Sequence, residues 1–131
     1  MELGTGSGYQ AGVLAELVDE VYTIEIVGNL AVKVQARLET LGYHNVFVLH
    51  GDGMLGWTEK ALFDGIIVTA AGIAIPQHLV DQLKPGGRLV MPVGGDDEVQ
   101  QLKTLTKRQG GALIEVNILP VRFVPITDEI R

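Results

Sequence analysis

The stretch that decides the fold is Glu-Leu-Gly-Thr-Gly-Ser-Gly at residues 2–8, continued by Tyr-Gln-Ala-Gly-Val-Leu at residues 9–14. Its three glycines occupy alternate positions between an apolar residue and a run with helical periodicity, which predicts a tight turn from a strand into a helix. Glycine lacks a Cβ atom, so its backbone can adopt a positive φ and lie directly against a ligand. The first helical turn adds free N–H groups and the positive end of the helix dipole. The pattern predicts a turn that binds a nucleoside cofactor.

An acidic residue farther along supports this interpretation. Glu25 ends the apolar run 21–24, about 20 residues after Gly4, which is where a βαβ unit brings a carboxylate to the hydroxyls of a ribose. The glycine pattern alone also fits an ordinary turn between a strand and a helix. The two features together favour a cofactor site.

The spacing of the glycines distinguishes a dinucleotide cofactor from S-adenosylmethionine. The dinucleotide fingerprint G-x-G-x-x-G requires glycine at position 9, where this chain has Tyr9. Glu2 lies just before the turn, and a carboxylate there repels a pyrophosphate but attracts a cation. S-adenosylmethionine has a ribose, a cationic amino-acid end and no phosphate, so it is the predicted cofactor. An NAD-linked oxidoreductase is an alternative that Tyr9 and the lack of a proton-relay residue disfavour.

Composition excludes several classes of protein. The chain has 131 residues, of which 47% are hydrophobic, and this predicts one globular domain. Its net charge of −6 lacks the basic character of a nucleic-acid-binding surface. It has no cysteine, and its three histidines are not at metal-ligand spacing, so we predict no metal site. No apolar run reaches the ~18 residues of a membrane span, so we expect no membrane partner and a cytoplasmic protein.

Alternating elements predict a Rossmann-like, doubly wound α/β fold with a mostly parallel sheet. The predicted elements are a helix at 9–17, a strand at 21–26, a helix from an Asn29 cap to Gly42, strands at 46–49 and 63–68, a helix from Pro76 to Leu83, a strand at 88–92, and an antiparallel C-terminal pair at 100–107 and 112–124. The predicted apolar faces are Val13, Leu14, Leu17 and Val18 on the first helix and Leu30, Val34, Leu38 and Leu41 on the second.

The central strand of such a sheet precedes the glycine turn, and only residues 1–3 are available for it. A usual strand has about 5–6 residues. We therefore expect residues 1–131 to be the C-terminal part of a larger protein, with the sheet truncated at its first strand; the alternative is a naturally minimal domain.

The motif Gly51-Asp52-Gly53 follows the third strand, at the same sheet edge as the glycine turn and Glu25. A carboxylate there can accept a hydrogen bond from the exocyclic amine of adenine, and the flanking glycines leave room for the base. The alternative is an ordinary turn with a solvated acid. Its position beside the two other acids favours the adenine interpretation.

The chain lacks the residues for a catalytic constellation that activates a nucleophile, which narrows the possible reactions. Ser7, the only serine, lies in the glycine turn, so no serine, histidine and acid constellation can be assembled. Methyl transfer from a sulfonium to a carboxylate needs no strong base, because a carboxyl group with a pKa of about 4 is already ionised at neutral pH. Orientation of the reacting atoms can then supply most of the catalysis, up to ~7–11 kcal/mol in favourable cases.

Five segments carry a resemblance to a known family: residues 2–10, 51–53, 63–71, 83–94 and 119–126. Together they resemble the protein-L-isoaspartate O-methyltransferases. The most specific are Val-Thr-Ala-Ala at 68–71 and Val-Arg-Phe-Val-Pro at 121–125. The resemblance implies a transferase that esterifies the α-carboxylate of isoaspartyl residues in damaged proteins so that they can be repaired. Other carboxyl methyltransferases and a non-catalytic binding module are the alternatives.

The resemblance also implies site residues. It implies cofactor binding by Gly4, Thr5, Gly6, Ser7, Gly8, Glu25, Asp52 and Thr127; the predicted cofactor-binding residues also include Glu2, because of its charge, and Ile26 and Gly53, which follow Glu25 and Asp52. The residues facing the substrate peptide would be Ala70, Ala71, Val121, Arg122 and Phe123. The family's usual catalytic serine lies in a segment well before the glycine loop, so no catalytic residue is assigned here. We expect the parent protein to be a monomer and this chain alone to be impaired.

Overall fold

A computed structural model describes residues 1–95 and 98–126. Within them the chain forms two compact units, Met1–Gly53 and Met54–Ile126. No helix among the described residues is both long enough and apolar enough to cross a membrane.

The first unit is a parallel βαβαβ structure, as predicted. Its elements are β1 (Glu2–Leu3), α1 (Tyr9–Leu17), β2 (Val21–Glu25), α2 (Gly28–Thr40) and β3 (Val46–His50). The strands lie in the order β3-β2-β1 and all pair in parallel. Because Glu2 pairs with Thr23 and Glu25 with His50, the carboxyl ends of the three strands meet at one edge.

Small residues form the fully buried face of α1, and of the predicted apolar face only Leu14 packs against the core, half-buried. Ala11 and Gly12 are buried, whereas Leu17 is 73% exposed and Val13 and Val18 are also exposed. Residues without bulk let the helix lie close to the strands and to its neighbour. A Cβ atom on Gly12 would lie 3.8 Å from the ring of Tyr43.

Helix α2 begins one residue before the predicted cap. Its N-cap is Val27, not Asn29, and no side chain caps it; the N–H of Val27 itself is bound by Glu25. Leu30 and Leu41 of the predicted face are exposed, and the buried residues are Ala31, Val34 and Leu38. Of these, Val34 and Leu38 join Ala11, Val21 and Val46 in the hydrophobic core around α1 and α2. Gly42 follows the helix with a φ of 90°, as expected of a glycine that ends a helix.

The second unit is a mixed sheet in the order β4-β5-β6-β7. Its elements are β4 (Phe63–Val68), α3 (Gln77–Asp81), β5 (Leu83–Val93), β6 (Gln100–Lys107) and β7 (Leu113–Val121). Strands β4 and β5 are parallel, and the predicted antiparallel C-terminal pair is confirmed in β6 and β7.

Three boundaries in the second unit differ most from the prediction: the end of α3, the start of β5, and the end of β7, which is Val121 and not residue 124. Helix α3 ends at Asp81, before the predicted Leu83, and residues 84–87 lie within β5 and do not separate it from the helix. The register of β5 on β4 shifts there, from Phe63–Leu83 to Gly65–Arg88, so Lys84-Pro85-Gly86-Gly87 forms an irregularity inside the strand. Proline and glycine therefore bend this strand without interrupting it.

Candidate functional site

Hydrogen bonds from its backbone amides attach the glycine turn to the end of β2. The amides of Gly4 and Thr5 both donate to the carbonyl of Ile24, at 2.9 and 3.3 Å. The amide of Gly6 donates to Oε1 of Glu25 at 2.8 Å. The turn thus has a fixed position relative to the acid that the sequence predicts as its partner.

Two glycines of the turn have different structural reasons for being glycine. Gly4, Gly6 and Gly8 all have the predicted positive φ, at 90°, 54° and 87°. A Cβ atom on Gly6 would have nothing within 4 Å, so open space faces this position. A Cβ atom on Gly8 would overlap the Val34 side chain of α2. Gly6 is where a ligand can approach the backbone, and Gly8 is where the two helices pack together.

Gly6→Ala is expected to weaken cofactor binding while leaving the fold intact. The positive φ costs ~1–2 kcal/mol of stability, and the added methyl group occupies the space that a ligand would need. An overlap of this kind typically costs ~1–3 kcal/mol, or about tenfold in affinity. Calorimetry with S-adenosylhomocysteine measures it.

Gly42→Ala is the matched control, because Gly42 has a φ of 90° and equally open surroundings but lies after α2. It should lose similar stability and keep its affinity. Equal affinities for both variants would show that the ligand does not lie against Gly6.

Glu25 is buried beside the glycine turn. Its side chain is only 5% exposed, and its two carboxylate oxygens accept from the amides of Gly6 at 2.8 Å and Val27 at 3.0 Å. An ionised carboxylate offers about four lone-pair sites, so half of its accepting capacity is still available to ribose hydroxyls.

The end of β3 is joined to the end of β2 beside Glu25. The amide of Gly51 donates to the backbone carbonyl of Glu25 at 3.0 Å. Asp52, the residue after Gly51, is half-buried. Ile26 follows Glu25, and its carbonyl lies 3.2 Å from Nε2 of His50. Gly53 has a packing role, because a Cβ atom there would lie 2.8 Å from Cγ of Leu3.

Glu2 lies beneath the turn and not beside it. Its side chain is 1% exposed, and Oε1 accepts from the hydroxyl of Thr23 at 2.7 Å. Oε2 is buried and has no hydrogen-bond partner among the described residues. Burial raises the pKa of this carboxyl above its ordinary value of 4.5, although the Thr23 hydrogen bond opposes the shift. An orphaned acidic oxygen of this kind suits a cationic ligand group.

Glu2 makes stability depend on pH in a predictable direction. Because its folded-state pKa is raised, its contribution is fully present below the unfolded pKa and is lost as pH rises through the folded pKa. Urea unfolding of the chain and of Glu2→Gln from about pH 4, below the ordinary pKa of 4.5, to about pH 8 isolates this group, since all others are common to both. The stability of wild type relative to Glu2→Gln should fall as pH rises. A constant difference would show that the Glu2 pKa is not raised.

An arginine that sequence reasoning missed also contacts the turn. Nη1 of Arg37, on α2, donates to the carbonyl of Ser7 at 2.9 Å. Arg37 and Ser7 border a cavity of about 400 Å³ between α1 and α2, with Tyr9, Val13 and Tyr43. The cavity shares Ser7 and Gly8 with the predicted cofactor-binding residues, but neither Glu25 nor Asp52 lines it.

The two segments predicted to face the substrate are adjacent in the second unit. The amide of Ala71 donates to the carbonyl of Val124 at 2.8 Å, and the amide of Ile126 donates to the carbonyl of Ala71 at 2.9 Å. Ala71 is buried and Ala70 half-buried. The loop is thus fixed to the chain directly after Val121, Arg122 and Phe123, of which Arg122 and Phe123 are exposed.

Gln100 is a second residue that sequence reasoning missed. It is 2% exposed; its Oε1 accepts from the amide of Phe123 at 2.6 Å, and its Nε2 donates to the carbonyl of Phe123 at 3.2 Å. One amide side chain therefore holds both backbone groups of Phe123. Its pairing opposite Val121 across β6 and β7 explains this position, and no local pattern in the sequence indicates it.

Two further predictions concern Thr127 and a metal site. Thr127 lies outside the described residues. Within the described ranges, no three or more histidine, aspartate or glutamate side chains form a group that could hold a metal ion.

Comparisons with known proteins agree on one family. Residues 1–131 match the model of the family described as protein-L-isoaspartate(D-aspartate) O-methyltransferase. A curated protein-L-isoaspartate O-methyltransferase of Gloeobacter violaceus is 54% identical over 98% of this chain and 62% of its own length. The chain therefore spans less than two thirds of that relative.

Solved structures give the same result. A protein-L-isoaspartate O-methyltransferase has a TM-score of 0.89 and 28% identity, over 98% of this chain and 42% of that chain. A Plasmodium falciparum structure described as a putative protein-L-isoaspartate O-methyltransferase in complex with S-adenosyl-L-homocysteine has a TM-score of 0.79 and 25% identity, over 98% and 65%. The likeness confirms the predicted α/β fold.

Proposed function

Because the chain belongs to the protein-L-isoaspartate(D-aspartate) O-methyltransferase family, we propose that it carries the cofactor-binding and peptide-binding elements of an S-adenosylmethionine-dependent carboxyl O-methyltransferase. The acceptor is the α-carboxylate of isoaspartyl residues in damaged proteins, and the methyl ester leads to their repair. The relative from Plasmodium falciparum, crystallised with S-adenosyl-L-homocysteine, supports this choice of cofactor.

The observation that carries the proposal is the pair of buried acids at the glycine turn. Glu25 holds the turn by the amide of Gly6 and has accepting capacity left, and Glu2 has one buried oxygen without a partner. Two carboxylates in this position suit a ribose and a cation and oppose a diphosphate. These residues fit S-adenosylmethionine better than they fit NAD.

Each part of the site has a separate task in the proposed reaction. Glu25 accepts from the ribose hydroxyls, Asp52 accepts from the adenine amine, and the glycine turn lies against the ligand at Gly6. S-adenosylmethionine, when bound, supplies an electrophilic methyl group on a sulfonium centre. The acceptor carboxylate is already ionised near neutral pH, so the chain needs to orient it and does not need to deprotonate it.

Substrate contacts fall to the second unit in this proposal. Ala70 and Ala71 have small side chains that leave room for a peptide, and Arg122 and Phe123 are exposed beside them along the chain. Arg122 supplies a positive charge for a carboxylate. The backbone of Phe123 is held by Gln100, so this segment is ordered before any peptide binds.

The test uses matched pairs of ligands on the 131-residue chain. Calorimetry should show binding of S-adenosylhomocysteine and none of NAD. With the site saturated, a fluorescently labelled isoaspartyl peptide should bind more tightly than its normal aspartyl isomer, measured by anisotropy. Preference for NAD would refute the cofactor, and equal binding of the two peptides would favour another carboxyl methyltransferase.

Turnover is a separate measurement. Transfer of a radiolabelled methyl group to the isoaspartyl peptide, with the aspartyl isomer as control, reports whether this chain completes the reaction. Our expectation is impaired turnover with intact binding of both ligands. Full turnover would contradict the expectation of impairment and would support the assigned reaction. The cytoplasmic location and the monomeric state stay predictions.

A further inference from the structure

We propose that Thr23, on β2, is a positioning residue of the cofactor site, which sets affinity for the cationic amino-acid end of the cofactor by orienting Glu2 and Thr5. The inference rests on the proposed function. Thr23 does not line the open space at Gly6 and acts through its two neighbours.

Strand register brings the three side chains together. Glu2 of β1 and Thr23 of β2 are directly opposite in the parallel pairing, so their side chains lie on the same face of the sheet. The Thr23 hydroxyl donates to Oε1 of Glu2 at 2.7 Å and lies 2.6 Å from the hydroxyl of Thr5, in the glycine turn. The side chains form a hydrogen-bonded chain from the turn to the acid beneath it.

The number of available protons determines which group donates each hydrogen bond in this series. When Glu2 is ionised it can only accept, so the single hydroxyl proton of Thr23 is committed to Oε1. Thr5 must then donate to Thr23, which fixes the rotamers of both threonines. The Thr23 hydroxyl holds the Glu2 carboxylate by Oε1. The other oxygen, Oε2, has no partner, and its direction is set by this hydrogen bond.

Packing alone does not require a hydroxyl at this position. Thr23 is 0% exposed, and Val21, two residues earlier on the same face of β2, is part of the apolar core. Valine has nearly the shape of threonine and would fill the same space, but it would leave Oε1 of Glu2 and the Thr5 hydroxyl buried without their partner, and each unsatisfied group would lower stability. A threonine here is explained by the two polar groups it orients.

The experiment compares two ligands that share adenosine and differ in the amino-acid end. S-adenosylhomocysteine has that end, and 5′-methylthioadenosine lacks it. Thr23→Val in the 131-residue chain should weaken S-adenosylhomocysteine about tenfold, as expected for a lost hydrogen bond to a charged group, and change methylthioadenosine by less than about twofold. Thr23→Ser keeps the hydroxyl and should restore the wild-type ratio of affinities.

A second pair of variants tests the proposal if Thr23→Val does not fold. Thr23→Ser and Thr23→Ala differ by one oxygen atom, and only the alanine variant should lose the preference for S-adenosylhomocysteine. Equal weakening of both ligands, or none of either, would overturn the proposal and assign Thr23 a merely structural role. Failure of the wild-type chain to bind S-adenosylhomocysteine would instead refute the proposed function.

Discussion

Glu25→Gln is expected to weaken S-adenosylhomocysteine binding about 100-fold, since hydrogen bonds to a charged group contribute ~1.5–3 kcal/mol each. The substitution keeps the shape of the side chain and removes its charge. The glutamine also replaces one accepting oxygen with an NH₂ group, so either Gly6 or Val27 loses its acceptor. An unsatisfied buried amide costs ~1–3 kcal/mol, so stability should fall as well. Calorimetry and urea unfolding measure the two effects separately.

Glu59→Gln is the control for this variant. Glu59 is exposed, in the 3₁₀ turn Thr58–Lys60, and its substitution should change stability by no more than ~0.5 kcal/mol. Wild-type affinity in Glu25→Gln would exclude Glu25 as the ribose ligand, even if the variant were less stable.

Gly8→Ala is expected to lower the free energy of unfolding by ~2–5 kcal/mol, the sum of a left-handed backbone cost and an overpacking cost. Gly8 has a φ of 87°, and an added Cβ atom would overlap Val34, which belongs to the core of the first unit. Domains of this size have total stabilities of only ~5–15 kcal/mol, so the loss is severe. Urea unfolding measures it.

Gly42→Ala separates the two costs. Gly42 has nearly the same φ, at 90°, and nothing within 4 Å of an added Cβ atom, so this variant should show only the ~1–2 kcal/mol backbone cost. Equal losses in the two variants would mean that α1 and α2 do not approach closely at Gly8.

Local patterns predicted the elements that depend on local chemistry. The glycine turn, the bounds of α1 and the antiparallel pair follow from glycine conformation and from strand and helix periods, and the structure confirms them. The position of Glu25 beside the glycine turn also follows from local spacing, because a βαβ unit fixes where the second strand ends; its hydrogen bond with the Gly6 amide is known only from the structure. The individual roles of the site residues stay predictions.

Non-local packing decided what sequence reasoning could not predict. The periodicity predicts large aliphatic residues on the buried face of α1, yet the fully buried residues are Ala11 and Gly12, and of the predicted residues only Leu14 packs against the core. The network of Thr23 depends on the register of β1 on β2, and the role of Gln100 depends on the register of β6 on β7. Single-residue shifts of either pairing would turn these side chains to the opposite face.

The most direct test of the central claim is a crystal structure of the chain with S-adenosylhomocysteine. We expect the ligand against Gly6, with ribose hydroxyls at hydrogen-bond distance, about 2.6–3.2 Å, from the carboxylate of Glu25, and the adenine beside Asp52. A ligand bound elsewhere, with Glu25 contacting only the amides of Gly6 and Val27, would contradict it.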